Sequence, residues 1–251
     1  MENNEIKYVL KWTNQCDDKF IDDFLHVENM VFGGFTKKLF ENKYLHNIYG
    51  PSLITIAYLN NKPVAADSMI RNDYNGIAYQ SADTCVLEEC RGKGVFSQMK
   101  KREIEILGED KTIFGFPNGN SFPGFVKMGW TIQCRLYPAL FLFPSLFDKE
   151  NPALIDVEYA KWLKKTDRKF FYIKICKKHY LILQGQKHFQ MVGRIEPESA
   201  MLFERKKHPG IIRFRSKKKR FFNDNGYSGS IITYGKIPFD IPYWKVDTLL
   251  N

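Results

Sequence analysis

The chain has 251 residues, of which 44% are hydrophobic, 15% aromatic and 26% charged, with 21 Phe and 13 Tyr. This balance excludes collagen-like, low-complexity and largely disordered classes and supplies a sizeable aromatic core. The net charge of +10 is uneven: residues 1–143 carry 16 Lys and Arg against 17 Asp and Glu, while residues 144–251 carry 22 against 11. A shift of that kind predicts two units, 1–145 and 150–251, and the basic second half favours anionic partners.

Five cysteines (16, 85, 90, 134 and 176) form no CxxC pair. No disulfide framework or zinc ribbon is expected, and the five histidines show no metal spacing, so no metal is expected. The beginning, MENNEIKY, is acidic and polar rather than a signal sequence. The longest apolar run, Leu136–Phe143, contains Pro138 and is too short to span a bilayer. These features predict a reduced, cytoplasmic protein. Leu136–Phe147 reads as sheet core or as a homodimer contact.

In chain order, Ile6–Trp12 alternates as a strand. Asp17–Val31 places Phe20, Phe24, Val27 and Val31 on one helical stripe, with Asn14 or Asp17 as cap. Gly33-Gly34 ends it, and Thr36–Leu45 reads as a second helix. Ser52–Tyr58 and Val64–Arg71 form a hairpin about Asn60–Pro63, and Asn75-Gly76 turns the chain into a strand over Ile77–Leu87. Arg91-Gly92-Lys93-Gly94 then opens a helix running to about Leu107. Lys111–Phe116 is a strand, Ser121–Met128 a short helix closed by Gly129, and Thr131–Phe143 a last strand or strand pair. The fold class is α+β, a mixed α/β sheet with one crossover helix. After Pro144, a helix at Asp156–Lys165 and a hairpin of Phe170–Ile175 and Tyr180–Gln184 repeat the succession at residues 36–71. This is a weak internal repeat, a degenerate second copy without the glycine loop.

That loop leaves a strand and enters a helix N-terminus. Its two glycines admit close approach, and the free N–H groups suit a phosphate. It is neither a Walker loop, GxxxxGK[ST], nor the dinucleotide GxGxxG. The run from Thr84 to Gly94, with Val86 five residues before Arg91, resembles the acetyl-CoA segment of the GNAT N-acetyltransferase superfamily. Asn118, Ser121, Phe125, Gly129 and Trp130, at +3, +7, +11 and +12 from the Asn, resemble that superfamily's second motif. Gly115-Phe116-Pro117-Asn118 resembles a subgroup found among surface-polysaccharide genes.

The resemblance covers residues 6–143 well and implies a GNAT-like fold with acetyl-CoA as co-substrate. It implies that Arg91, Gly92, Lys93, Gly94, Val95 and Phe96 hold the pyrophosphate through backbone N–H groups. Thr84, Cys85 and Val86 would pair with the pantetheine arm, and Asn118 would hydrogen-bond it. Phe96 replaces a small residue, and its ring is expected in the core. Phe125 stands where many members carry the Tyr that protonates the leaving thiolate. Ser121, Tyr79 and Tyr137 are the replacement donors, unless a thiolate of pKa ~8.5 leaves unassisted.

Transfer to an amine needs its ammonium deprotonated. Asp83 is the first choice of base and Asp67 the second, while Glu28 reads as a solvated helix face. Cys85 reads as a small buried residue. The expected reaction is N-acetylation of a primary amine on a small polar acceptor, such as an amino sugar or a nucleotide-linked one. The alternative is a GNAT-like module that binds acyl-CoA without turnover. The basic run Arg213–Arg220 reads as a solvated strand end rather than a nucleic-acid interface.

Overall fold

The computed structural model describes residues 5–73, 76–108, 110–142, 144–151, 153–166, 168–185, 189–207, 210–216 and 229–235. The chain forms two compact units. The first runs to Thr131 and takes in the segment from Ile232; the second spans Ile132–Ile231. The division expected at residues 145–150 therefore falls earlier, because the strand expected to close the first domain packs in the second. The predicted turn residue Asn75, the run Lys217–Arg220 and the tail from residue 237 lie outside the described residues.

The first unit begins with β1 (Ile6–Trp12), antiparallel to β2 (Leu53–Leu59). Between them lies α1 (Asp18–Val31), capped by Asp17, whose carboxylate accepts from Phe20 N at 2.8 Å. Thr36 caps α2 (Lys37–Phe40), which passes into a π-helical turn over Glu41–Leu45. The periodicity predicts one uniform helix here. The wider turn instead buries Asn42, Lys43 and Tyr44 in succession, which the 100° step of an α-helix would not allow.

β2, β3 (Lys62–Arg71) and β4 (Ala78–Val86) form an antiparallel meander. α3 (Val95–Leu107) then crosses to β5 (Thr112–Gly115), which runs parallel to β4. α4 (Phe122–Lys127) follows. The sheet order is β1-β2-β3-β4-β5, closed by β13 (Gly229–Tyr234), which pairs antiparallel with β5 through Ile232–Tyr234. The mixed sheet with one crossover helix is as expected.

The second unit holds β6 (Thr131–Leu140), α5 (Pro144–Glu150), β7 (Leu154–Ile155), α6 (Val157–Lys165), β8 (Phe170–Ile175), β9 (Lys178–Gln184) and β10 (Phe189–Ile195). It continues with α7 (Pro197–Ala200), β11 (Glu204–Arg205) and β12 (Ile212–Ser216). Its order is β6-β12-β10-β9-β8-β11. β8, β9 and β10 are an antiparallel meander, β12 runs parallel to β10, and β6 closes antiparallel to β12. This is the strand sequence of β2-β3-β4-β5-β13. The two units thus share one succession of strand pairings over five strands.

One face of the first sheet packs on α1 through Phe24, whose ring meets Phe35, Phe40 and Tyr44 at centroid distances of 5.8, 5.3 and 5.8 Å. Phe24 is fully buried. Phe24→Ala should lower stability by about 3–5 kcal/mol through the lost contacts and the cavity left behind. Urea denaturation followed by tryptophan fluorescence would measure it.

Candidate functional site

The pairing of β4 decides the geometry. Ser68 of β3 opposes Ala82, and Ala66 opposes Cys85, so two residues of β4 stand opposite Asp67 alone. Asp83 adopts φ +47° at this bulge, a left-handed conformation that Asp tolerates better than most side chains. The extra residue shifts the alternation by one. Thr84 turns toward α3, where its hydroxyl donates to Asp67 at 2.7 Å. Cys85 turns toward α1, where its thiol donates to Glu28 at 3.1 Å. On the other edge, β4 pairs with β5 only from Ala78 to Ser81. Beyond Ser81 the two strands fork, and β4 runs on to Val86.

The strand then enters the glycine loop. Gly92 and Gly94 both have positive φ, +72° and +77°, and a Cβ at either would meet nothing within 4 Å. The loop therefore needs glycine for backbone conformation and stands open in front. Arg91 Nε donates to the Val86 carbonyl at 3.0 Å and ties the loop to the strand end. No side chain caps α3, so its first-turn N–H groups face outward with the positive end of a 13-residue helix. The order of features is an open strand edge, then a glycine loop at an uncapped helix N-terminus.

Behind the loop, Phe96 turns its ring inward as expected. It meets Phe125 at 5.0 Å, and Phe125 meets Trp130 at 4.8 Å. A Cβ on Gly124 would lie 2.7 Å from Phe96 Cε1, so Gly124 makes room for that ring. Phe125 is buried in this cluster, packed between Phe96 and Trp130. Asn118 Oδ1 accepts from the N–H groups of Asn120 and Ser121, each at 3.0 Å, and from Ser121 Oγ at 3.1 Å. The carbonyl end of Asn118 thus builds its own turn, which leaves the amide nitrogen as the end able to meet a ligand. Tyr79 is buried against Trp12, and Tyr137 belongs to the second unit.

The carboxylates are placed differently from their sequence reading. Asp83 is not free: Lys43 Nζ sits 2.8 and 2.7 Å from its two oxygens, and the Tyr44 hydroxyl makes a short hydrogen bond to it. Asp67, the second choice, is wholly buried with Lys100 at 2.7 Å. Glu28 is no solvated face. It is fully buried, and its second oxygen has no hydrogen-bond partner among the described residues. Burial, with the Asp83 carboxylate next to it, pushes the Glu28 carboxyl up to about 8, against the Cys85 hydrogen bond and the Lys43 charge. Burial and then Glu28 push the Cys85 thiol up, so it stays a thiol and not a nucleophile. Periodicity already placed Glu28 one position after Val27, at the edge of the buried stripe. Its partners come from the bulge, which has no sequence signal.

On the opposite face, Lys100 Nζ lies 3.3 Å from Glu103 Oε2, and Thr55 Oγ1 donates to Glu103 Oε1 at 2.6 Å. Asp67, Lys100 and Glu103 are all fully buried, two acids around one ammonium. Burial, then the Asp67 charge, pushes Glu103 up to about 8. Among the described residues, no group of three His, Cys, Asp or Glu could hold a metal ion. No helix among them is long and apolar enough to cross a membrane.

No family model and no curated protein matches the sequence. Solved structures do. One from Pyrococcus horikoshii, assigned as an acetyltransferase, is 14% identical, with 100% of this chain and 99% of that one covered at a TM-score of 0.57. A GCN5-related N-acetyltransferase from Kribbella flavida is 13% identical, with 91% and 71% covered at a TM-score of 0.57. The chain has the GNAT fold. At such identities the likeness concerns the fold, and the chemistry rests on the residues above.

The buried acids set a pH dependence. Glu103 and Glu28 titrate higher in the folded chain than the ordinary value of 4.5. Their stabilising contribution is therefore complete below about pH 4.5 and is lost as pH rises through about 8. Between pH 5 and 9, stability should fall, and Glu103→Gln should recover on the order of 2 kcal/mol at the alkaline end. Lys100→Met should destabilise at every pH above 5 by about 3–5 kcal/mol, because it strands Asp67 without its counter-ion. Urea titrations at fixed pH values would read both.

Proposed function

We propose that the protein is an acetyl-CoA-dependent N-acyltransferase that acetylates a primary amine on a small polar acceptor. The observation that carries this reading is the fork at Ser81, where β4 leaves β5 and leads directly to Gly92 and Gly94. An arm rich in amides takes backbone partners on Thr84, Cys85 and Val86 as an added strand would. A diphosphate takes the N–H groups of residues 92–96, with Lys93 exposed beside them. Asn118 offers its amide nitrogen to a carbonyl of the arm.

Catalysis then has three parts. The fork and loop hold the thioester while the acceptor amine approaches from the side of α1 and the π turn. The bulge at Asp83 interrupts the ladder between β3 and β4, and backbone N–H groups there stabilise the oxyanion. The new N–C bond forms as the C–S bond breaks; the nitrogen gives up two protons in all, one to a base before attack and one after it, and the second ends on the thiolate sulfur. Asp83, paired with Lys43 and Tyr44, orients the ammonium. Glu28, titrating at about 8, is matched to take its proton. Ser121 Oγ is the nominated donor to the thiolate, since Phe125 has no hydroxyl.

The Gly115-Phe116-Pro117-Asn118 stretch supports an amino sugar or a nucleotide-linked amino sugar in surface-glycan assembly, and the basic charge after residue 143 suits a phosphorylated acceptor. The buried, hydroxyl-free Phe125 favours one second reading, an acyl-CoA-binding module without turnover.

Calorimetry with acetyl-CoA should show micromolar binding to the wild type and at least a tenfold loss in Gly94→Glu, which strains a left-handed residue and sets a negative charge before the phosphates. No binding to the wild type would end the transferase reading. Binding without thiol release across amino sugars and other amines would assign the binding module. With turnover, Glu28→Gln should lower kcat/KM at least tenfold and remove a limb of the pH profile near 8.

A further inference from the structure

The second unit carries the same fork as the first, and its own chain fills it. β10 has an extra residue, Val192, between the pairs Met191 with Ile182 and Gly193 with Leu181. This is a bulge in the third strand of the meander, the place it occupies in β4. β12 runs parallel to β10 but pairs only with Phe189 and Gln190. Past the bulge, the edge is taken by β7, with Leu154 opposite Arg194 and Ile155 opposite Ile195, also parallel. Glu196 N donates to the Ile155 carbonyl at 3.3 Å, and Ile155 is fully buried. In the first unit the corresponding edge, from Asp83 to Val86, has no strand of the chain on it among the described residues.

The end of the strand differs as well. Where β4 leads to Gly92 and Gly94, β10 leads to Glu196 and Pro197, which open the four-residue α7. Proline has no N–H to offer a phosphate, and the Glu196 carboxylate repels one. α7 is too short to present the N-terminus that α3 presents.

We propose that β7 stands in the second unit where the first unit takes its ligand's extended arm, so the second cleft is closed by the chain itself and the protein holds one acyl-CoA per chain. The stoichiometry rests on the acyl-CoA reading of the first unit; the occupied edge does not. The basic second unit then acts through its surface and not through a second cofactor.

Two measurements test this on the full chain. Hydrogen exchange on the free protein should show the Glu196 amide slowed at least ~10-fold against the unstructured rate, and replacing Leu154 and Ile155 together by Gly should return that rate while leaving residues 84–86 unchanged. An unprotected Glu196 amide in the wild type would overturn the occupied edge. Calorimetry should give one acetyl-CoA per chain, with added protection at residues 84–86 and 92–96 and none at 193–196. Two sites per chain, or binding surviving in Gly94→Glu with protection at 193–196, would overturn the assignment. If acetyl-CoA fails to bind at all, the transferase reading falls, and the Glu196 amide still decides whether β7 fills the fork.

Discussion

One backbone irregularity organises the first unit. With a regular β4, Thr84 would face α1 and Cys85 would face α3. The bulge at Asp83 reverses both. It sends Thr84 to the buried Asp67–Lys100–Glu103 group and Cys85 to Glu28, and it puts Asp83 against Lys43 and Tyr44. Two buried polar networks on opposite faces of the sheet thus meet at three consecutive residues of one strand. A left-handed aspartate costs about 1–3 kcal/mol of strain, and the ion pair and hydrogen bonds on its side chain hold it in place.

The networks share a logic of incomplete pairing. Two acids surround one ammonium on the α3 face, and a lone carboxyl meets a thiol beside an ion pair on the α1 face. Each arrangement is tolerable only because a carboxyl takes up a proton, which is why two glutamates titrate near neutrality. Fully apolar replacements would pack with less penalty.

The sequence makes the succession of elements up to residue 128, the capped first helix, the glycine loop and the inward turn of Phe96 legible, since these follow from periodicity, cap residues and glycine chemistry. It shows three things poorly. The π turn at Glu41–Leu45 has no composition signature, so Thr36–Leu45 reads as one ordinary helix. The bulge depends on an aspartate taking a glycine-like conformation, so Asp83 reads as a free base when it is an ion-paired residue. A charge step at residue 143 suggests the boundary, whereas packing follows strand pairing, and the partner of Leu140 in β6 is Arg213, 73 residues further on, which leaves no local trace.

The closing strands have a consequence for how the protein is made. The first sheet takes its last strand from residues beyond 231, and the second takes β6 from before residue 141. A ribosome delivers the fork, the bulge and the glycine loop early, yet β5 must wait with an open edge until residues 232–234 have emerged. Its edge is exposed to mispairing over that interval. The first half, cut at the midpoint and expressed alone, lacks the strand that finishes its own sheet.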